Sequence, residues 1–145
     1  MTDLAARAAA LRAAYNECFG CGTANPIGLR LDDFRLDDGD LLASFSPRRE
    51  YRGFEGILHG GIVAALLDET LAWTAMMLEE TYVVTASLEI KFRKPAPVDS
   101  PYRLRGSVVE RRGRRIQLAG QASTNGTVVA EATGLFLATE PVGID

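Results

Sequence analysis

Residues 61–79 read GIVAALLDETLAWTAMMLE, and this stretch decides the fold. It is built almost wholly from strong helix formers and holds neither proline nor an internal glycine over about five helical turns. Apolar side chains cover nearly every side of such a helix, which is typical of a helix surrounded by other structure. We therefore predict one long core helix, from Gly61 to about Glu79, against which the rest of the chain packs.

The sequence after this helix predicts several long β-strands. From Tyr82 to Arg93, apolar and polar residues alternate strictly, as in a strand with one covered face. The apolar set is Val84, Ala86, Leu88, Ile90 and Phe92, and the polar set is Thr85, Ser87, Glu89, Lys91 and Arg93. Further strands are expected at residues 102–110, 115–123 and 127–138.

Short turn signals connect most of the predicted strands. Arg112-Gly113 and Asn125-Gly126 separate the last three strands, and Asp37-Asp38-Gly39 separates two earlier ones, at residues 29–36 and 40–45. Links this short join antiparallel neighbours. One apolar helix and five or six antiparallel strands satisfy each other when a curved sheet wraps round the helix. The sequence therefore predicts an α+β hotdog fold, formed by residues 1–145 as a single domain.

The first fifteen residues predict a short amphipathic helix. Its apolar positions are Leu4, Ala8, Leu11 and Tyr15. Thr2 or Asp3 is the expected cap. Arg7 and Arg12 interrupt the apolar centre that a signal peptide would need. No uninterrupted run of about 20 apolar residues predicts a membrane span either.

The composition limits the class of function. A chain of 145 residues with a net charge of -3 lacks the clustered positive charge that nucleic-acid binding requires. Two cysteines are too few for a disulfide scaffold, so the cytoplasm is the expected location. We expect neither a nucleic-acid nor a membrane partner.

The two cysteines, Cys18 and Cys21, form a C-x-x-C pattern in a glycine-rich connector. A structural zinc site takes four ligands, and the chain adds only one histidine and its carboxylates to these cysteines. A four-cysteine site across two chains is an alternative, and a redox pair would need the first cysteine at a helix N-terminus. We interpret the pattern as a turn and expect no metal and no cofactor, an expectation that zinc in the purified protein would overturn.

The start of the core helix carries the main candidates for chemistry. Asp68 lies inside an apolar helix, where a carboxylate must be paired or catalytic because burying it alone is costly. Gly60 and Gly61 offer unpaired backbone N–H groups at the positive end of the helix, as an oxyanion site requires. The alternatives are a tight entry turn for the glycines and a hydrogen bond to a strand or loop for Asp68. Gly60 and Asp68 lie about 12 Å apart along one helix, so a joint action on one substrate requires two chains.

Three features resemble the hotdog acyl-CoA thioesterases of the phenylacetate and hydroxybenzoyl-CoA type. They are His59-Gly60-Gly61, Asp68 nine residues after the histidine, and TASLEIKFRKP at residues 85–95. The resemblance implies a homodimer in which Gly60 polarises the thioester carbonyl and Asp68 of the partner subunit is the base or nucleophile. It also implies that Thr85 helps to hold the attacking water, although a half-exposed strand threonine is the alternative.

One departure from the family pattern concerns the water-holding groups. Many members have an asparagine about six residues before the His-Gly-Gly motif, and this chain has Gly53 there. Glu69 and Glu55 are the candidate substitutes.

The candidate substrate-binding residues are His59, Gly61, Glu69, Arg93 and Lys94. His59 is the only histidine, and the resemblance implies a structural role for it at the helix entry. Arginine forks match phosphate oxygens, so the clusters at residues 48–49, 93–94 and 111–115 are candidates for the phosphates of coenzyme A. The last cluster is more typical of a solvated hairpin turn.

Two other functions fit this sequence class. Hotdog hydratases and dehydratases need a catalytic histidine near an acid, and their Asp-x-Asn-x-x-His pattern is not found in this sequence. A non-catalytic acyl-CoA binding module is the third reading. The residues do not set the acyl group, the choice between coenzyme A and a carrier protein, or whether two dimers form a tetramer.

Overall fold

The computed structural model describes residues 4–142, which form two α-helices, one short 3-10 helix and six β-strands. The helices are α1 (Leu4–Ala14) and α2 (Gly60–Leu78), and the 3-10 helix spans Arg49–Tyr51. The strands are β1 (Asp32–Asp37), β2 (Asp40–Phe45), β3 (Thr81–Phe92), β4 (Tyr102–Arg112), β5 (Arg115–Thr124) and β6 (Thr127–Pro141). The expected caps of α1, Thr2 and Asp3, lie outside the described residues.

The six strands form one antiparallel sheet in the order β1-β2-β4-β5-β6-β3. Strands β1 and β3 are therefore its edges. Helix α2 packs on one face of this sheet, where Leu67 and Leu71 are buried against Leu104, Leu118 and Phe136. The predicted α+β architecture, a sheet packed round one central helix, is confirmed.

Two of the predicted hairpin turns form as expected. Asp38 and Gly39 have φ angles of 52° and 82°, and Asn125 and Gly126 have φ angles of 51° and 77°. Consecutive residues with positive φ are the signature of the type I′ turn, whose twist suits a hairpin. The turn between β4 and β5 falls one residue later than predicted, because β4 continues to Arg112.

Strand β1 begins at Asp32, three residues later than predicted. The N–H groups of Leu29 and Leu31 donate to the carbonyls of Phe19 (2.7 Å) and Gly20 (2.9 Å) instead of pairing within the sheet. Arg30 between them has a φ of 57°, which breaks the extended conformation. These hydrogen bonds tie the cysteine-containing connector to the start of the sheet.

Helix α2 is less completely enclosed than its composition suggests. By length and composition alone it is also apolar enough to cross a membrane, a property that core helices share. One face, with Leu66, Leu67 and Leu71, is almost fully buried by the sheet. The opposite face, with Ala64, Ala65, Asp68 and Ala72, is only half-buried within one chain. The helix therefore presents a face of small residues and one carboxylate beyond its own sheet.

Candidate active site

The candidate carboxylate, Asp68, lies on the half-buried face of α2 and has a partner on β3. Thr85 Oγ1 donates a hydrogen bond to Asp68 Oδ1 over 2.7 Å. This contact satisfies one carboxylate oxygen of Asp68. It also brings together the two residues to which the family resemblance assigns base and water-holding roles.

A β-bulge explains how Thr85 reaches α2. Thr85 pairs with Phe136 and Ser87 pairs with Leu135, so Ala86 is an extra residue in β3. Paired residues of antiparallel strands share a face, and Phe136 is fully buried on the α2 side. The strict alternation predicted for this strand was therefore wrong, because the bulge moves Thr85 to the face opposite that of Glu89 and Lys91.

The apolar side chains of β3 differ in their exposure. Leu88 and Ile90 pack against the core, whereas Val84 and Phe92 are 54% and 57% exposed. Val84 pairs with Leu137 on the outer face of the sheet, away from α2. A long edge strand with exposed apolar side chains is thus left open on one side.

The first turn of α2 holds one unused backbone donor. His59 is the N-cap, and its Nδ1 accepts a hydrogen bond from the Gly61 N–H over 2.8 Å. Its carbonyl oxygen accepts from Ile62 (2.9 Å) and Val63 (3.2 Å). Within residues 4–142, the Gly60 N–H makes no hydrogen bond. Of the two glycines expected to present bare donors, only Gly60 does so, because His59 occupies Gly61.

His59 therefore acts as a helix cap, the structural role that the resemblance implies. Its ring nitrogen Nδ1 is committed to the helix backbone, and the side chain lies at the exposed helix entry. A capping side chain of this kind satisfies one of the donors that a helix leaves unpaired.

A cavity of ≈ 350 Å³ opens beside Gly60. The aromatic side chains of Phe54 and Phe92 line this cavity, and so do the basic residues Arg93 and Lys94. Arg93 is ion-paired with Glu131 at 2.8 Å, whereas Lys94 makes no ion pair within the described part of the chain. The structure thus brings two of the predicted substrate-binding residues to the Gly60 end of α2.

The other arginine clusters serve mainly structural contacts. Arg48 donates to the carbonyls of Pro26 (2.7 Å) and Gly28 (3.1 Å). Arg111 pairs with Glu79, and Arg112 pairs with Glu110. The hairpin at residues 111–115 lies with the far end of α2, since Glu79 is the C-cap of that helix.

Neither candidate for the missing asparagine lies beside Asp68 and Thr85. Glu55 is exposed and lines a different cavity with Arg49 and Arg52. Gly53 packs against the His59 backbone, because a Cβ on Gly53 would stand 3.1 Å from His59 Cα. The side chain of Glu69 points to the turn that carries Cys18 and Cys21, called the cysteine turn below.

Glu69 joins the two cysteines in a cluster that the sequence did not predict. Its Oε1 lies 3.7 Å from Cys18 Sγ and accepts from Trp73 Nε1 over 3.0 Å. Burial raises the pKa of Glu69 to about 7. A hydrogen bond from the Cys21 thiol, supported by backbone N–H groups of Cys21 and Gly20, lowers the pKa of Cys18 to about 5. Glu69 and Cys18 are 51 residues apart in the sequence, so no local pattern could predict their contact.

Comparisons with known proteins place the chain in a family. Residues 55–131 match the model of the thioesterase superfamily. Acyl-coenzyme A thioesterase THEM5 of Mus musculus is 36% identical over 106 residues, which cover 72% of this chain and 42% of that protein. Acyl-coenzyme A thioesterase THEM4 of Bos taurus is 32% identical over 133 residues, covering 90% of this chain and 54% of that protein. The chain spans about half the length of these curated relatives.

Solved structures share the fold. A thioesterase superfamily protein of known crystal structure is 30% identical, with a TM-score of 0.73 over 80% of this chain and 60% of that one. A hypothetical thioesterase protein from Streptococcus pneumoniae TIGR4, crystallised with coenzyme A, is 19% identical, with a TM-score of 0.70. That match covers 75% of this chain and 89% of the other, and at this identity it speaks for the fold alone. Because the family model covers more than half of its residues, this chain belongs to the thioesterase superfamily.

Proposed function

We propose that this protein hydrolyses an acyl-CoA thioester to the free acid and coenzyme A. The observation that carries the proposal is the hydrogen bond between Thr85 and Asp68, which fixes a carboxylate on the open face of α2. Two relatives named acyl-coenzyme A thioesterases support the substrate class.

The thioester carbonyl oxygen accepts a hydrogen bond from the Gly60 N–H at the positive end of α2. The negative charge that develops on this oxygen during attack is stabilised by the unpaired donor and by the helix dipole. When Asp68 acts as general base, it takes a proton from water while the water oxygen bonds to the carbonyl carbon. The C–S bond then breaks, and the leaving thiolate of coenzyme A takes up the proton that Asp68 removed from the water. Direct attack by Asp68, followed by hydrolysis of the resulting anhydride, is the second route.

Thr85 positions both the carboxylate and the water. Its hydroxyl group donates a hydrogen bond to Asp68 Oδ1. The other carboxylate oxygen, Oδ2, and the lone pairs of Thr85 Oγ1 remain available as hydrogen-bond acceptors. A water molecule that donates to Thr85 Oγ1 and to Asp68 Oδ2 is held next to its base. This arrangement supplies part of the shell that an asparagine at Gly53 would supply.

The site is shared between two chains of a homodimer. Gly60 and Asp68 of one helix are about 12 Å apart, too far to act on one carbonyl group. A second copy with its α2 alongside brings the start of one helix to the middle of the other. The half-buried face with Ala64, Ala65, Asp68 and Ala72 is suited to this approach, since its side chains are small.

Edge strand β3 is the element that joins the two copies. Its free edge can pair with the β3 of the second copy and continue the sheet. An antiparallel pair centred on Glu89 sets Thr85 opposite Phe92 of the partner subunit, because Ala86 is the extra residue of the bulge. A Cβ on Gly60 would stand 3.9 Å from the Phe92 ring in its own chain. This register therefore places Asp68 next to Gly60 of the partner subunit.

The cavity beside Gly60 receives part of the coenzyme A moiety. Lys94 has no ion pair among the described residues and faces phosphate groups from the cavity rim, with Arg93 beside it. Phe54 and Phe92 provide apolar surface for the pantetheine arm.

The test is a thiol-release assay over short, long and aromatic acyl-CoA substrates, with Asp68→Asn as the catalytic variant. We expect release from at least one substrate and a loss on the order of 10²–10⁴-fold in Asp68→Asn, since a general base contributes that much. Asp38→Asn, in the β1–β2 turn, is the matched control and should keep full activity because asparagine suits the type I′ conformation. Absence of activity over the whole panel, or an unimpaired Asp68→Asn enzyme, contradicts the proposal.

A further inference from the structure

The cysteine turn and Glu69 form a cluster that the proposed reaction does not use. The sulfur atoms of Cys18 and Cys21 and a carboxylate oxygen of Glu69 all lie within 4.8 Å of one another. The turn comes from the connector after α1, and Glu69 comes from the middle of α2. The fold thus brings three metal-ligand groups together from distant parts of the sequence.

The spacing of these atoms suits a tetrahedral cation. With metal–sulfur and metal–oxygen bonds of about 2.3 and 2.0 Å, two ligands at a tetrahedral angle lie about 3.5 Å apart. Cys18 Sγ and Glu69 Oε1 are separated by 3.7 Å. Small side-chain adjustments are therefore enough to bring them onto one ion.

A backbone hydrogen bond holds the turn that carries Cys18 and Cys21. The Gly22 N–H donates to the Cys18 carbonyl over 2.9 Å and closes the turn. The thiolate is the form of cysteine that binds metal ions.

Gly20 shows that the turn is fitted closely round the carboxylate. A Cβ at this position would overlap the Cδ and Oε2 atoms of Glu69, so only glycine allows the approach. On its other side, Glu69 accepts from Trp73 Nε1 over 3.0 Å. This hydrogen bond orients the carboxylate group, as the hydrogen-bond partners of metal ligands do in metal sites.

Among the described residues, no cationic side chain is hydrogen-bonded to the sulfur atoms of Cys18 and Cys21. The neighbouring guanidinium group, Arg12, donates to the Cys21 carbonyl oxygen (3.3 Å) and to Asp32 (2.9 Å). Two thiols and a largely buried carboxyl group therefore share one place without a cationic side chain hydrogen-bonded to them in the described residues. A bound cation would favour the ionised forms of the two thiols and the carboxyl group.

A cavity of ≈ 330 Å³ gives access to the cluster. Cys18, Cys21 and Glu69 lie in its wall, together with apolar residues such as Leu11 and Met76. The opening leaves room for a water molecule or another small donor as the fourth ligand. Three protein ligands with one open position are a common set for zinc.

We propose that Cys18, Cys21 and Glu69 bind a thiophilic divalent cation, with Zn²⁺ the best match. Two sulfur ligands select zinc over magnesium or calcium, which take oxygen ligands. The bound ion links the connector after α1 to Glu69 of α2, which is the residue next to Asp68. It is a site in each chain and does not depend on the hydrolytic activity or on dimer formation.

The test measures metal binding by reduced protein that has been stripped with a chelator and shown to hold two free thiols. We expect about one equivalent of Zn²⁺ per chain, and Co²⁺ in its place should show thiolate-to-metal charge-transfer bands. Cys18→Ser and Cys21→Ser should lose these bands, and Glu69→Gln should weaken Zn²⁺ binding by at least about tenfold. Glu79→Gln, at the C-cap of the same helix, is the matched control and should bind like the wild type.

Three results overturn the proposal. The first is failure of the fully reduced wild-type chain to take up Zn²⁺ or Co²⁺ at micromolar concentrations. The second is Glu69→Gln protein that binds as tightly as Glu79→Gln. The third is binding that survives in both cysteine variants. Should Glu69→Gln fail to fold, the Co²⁺ bands of the wild type and the cysteine variants decide the question alone.

Discussion

Thr85 Oγ1 donates a 2.7 Å hydrogen bond to Asp68 Oδ1, which links the edge strand of the sheet to the open face of the central helix. The bulge at Ala86 makes this contact, because without the extra residue the hydroxyl would point to the other face of the sheet. The candidate base is thus held by a residue from another element.

Thr85→Val should lower kcat because it removes the hydrogen bond to Asp68 while keeping the shape of the side chain. Losing a hydrogen bond to a charged group costs about 1.5–3 kcal/mol, which corresponds to about a 10- to 150-fold loss of rate. Thr85→Ser keeps the hydroxyl and should stay within a few-fold of the wild type. Steady-state kinetics separate the two, and a Ser variant as slow as the Val variant would show that the hydroxyl is not the active feature.

Gly60→Pro should remove the oxyanion donor and leave the helix intact. Gly60 is the first residue of α2, a position that proline favours, and His59 before it has a ψ of 137°, which proline tolerates. Loss of one such donor costs about 10²–10³ in kcat. Gly60→Ala is the control, since it keeps the N–H and its Cβ makes an ordinary 3.9 Å contact with Phe92. Equal activities of the Pro and Ala variants would exclude the Gly60 N–H from catalysis.

His59→Ala should lower the free energy of unfolding by about 1 kcal/mol, the usual value of a helix cap. The loss has a specific cause, because Nδ1 accepts from the Gly61 N–H in the wild type. His59→Asn restores a capping acceptor and should recover most of the stability and the activity. Chemical denaturation measures the first effect. A stable but inactive Asn variant would instead point to acid–base chemistry by His59, as in a hydratase.

Val84→Arg should break the homodimer, because it places a charge on the exposed outer face of edge strand β3. Wild-type protein should have twice the 15.7 kDa mass of the chain in solution, or four times that mass when two dimers associate. Leu36→Arg on β1, the other edge, is the matched control, since Leu36 and Val84 are similarly exposed at 52% and 54%. Light scattering reads out the mass. A monomeric wild type, or a dimer broken by Leu36→Arg and left intact by Val84→Arg, would contradict pairing through β3.

The parts of the fold that local sequence specifies were predictable. The run of helix formers in residues 61–79 and the Asp-Gly and Asn-Gly turns act over a few residues, and each formed as expected. The bulge in β3 was not predictable, because its sequence alternates without a break and the register is set by pairing with β6. The contact between Cys18 and Glu69 joins residues 51 apart and depends on the closed fold.

The candidate residues of the site could be named from the sequence, whereas their geometry could not. His-Gly-Gly and Asp68 indicated the chemistry, but only the structure distinguishes the free Gly60 N–H from the occupied Gly61 N–H. The proposed second chain would cover the exposed positions on β3 and α2, and no local pattern of one chain describes such an interface.

Subunit complementation tests the shared active site most directly. Asp68→Asn and Gly60→Pro chains with different affinity tags are co-expressed, and the mixed dimer is isolated through both tags. Each variant homodimer should be nearly inactive in acyl-CoA hydrolysis. The mixed dimer holds one intact site of two, formed by Gly60 of one chain and Asp68 of the other, and should show about half the wild-type activity. A mixed dimer as inactive as both homodimers would contradict a site built from two chains.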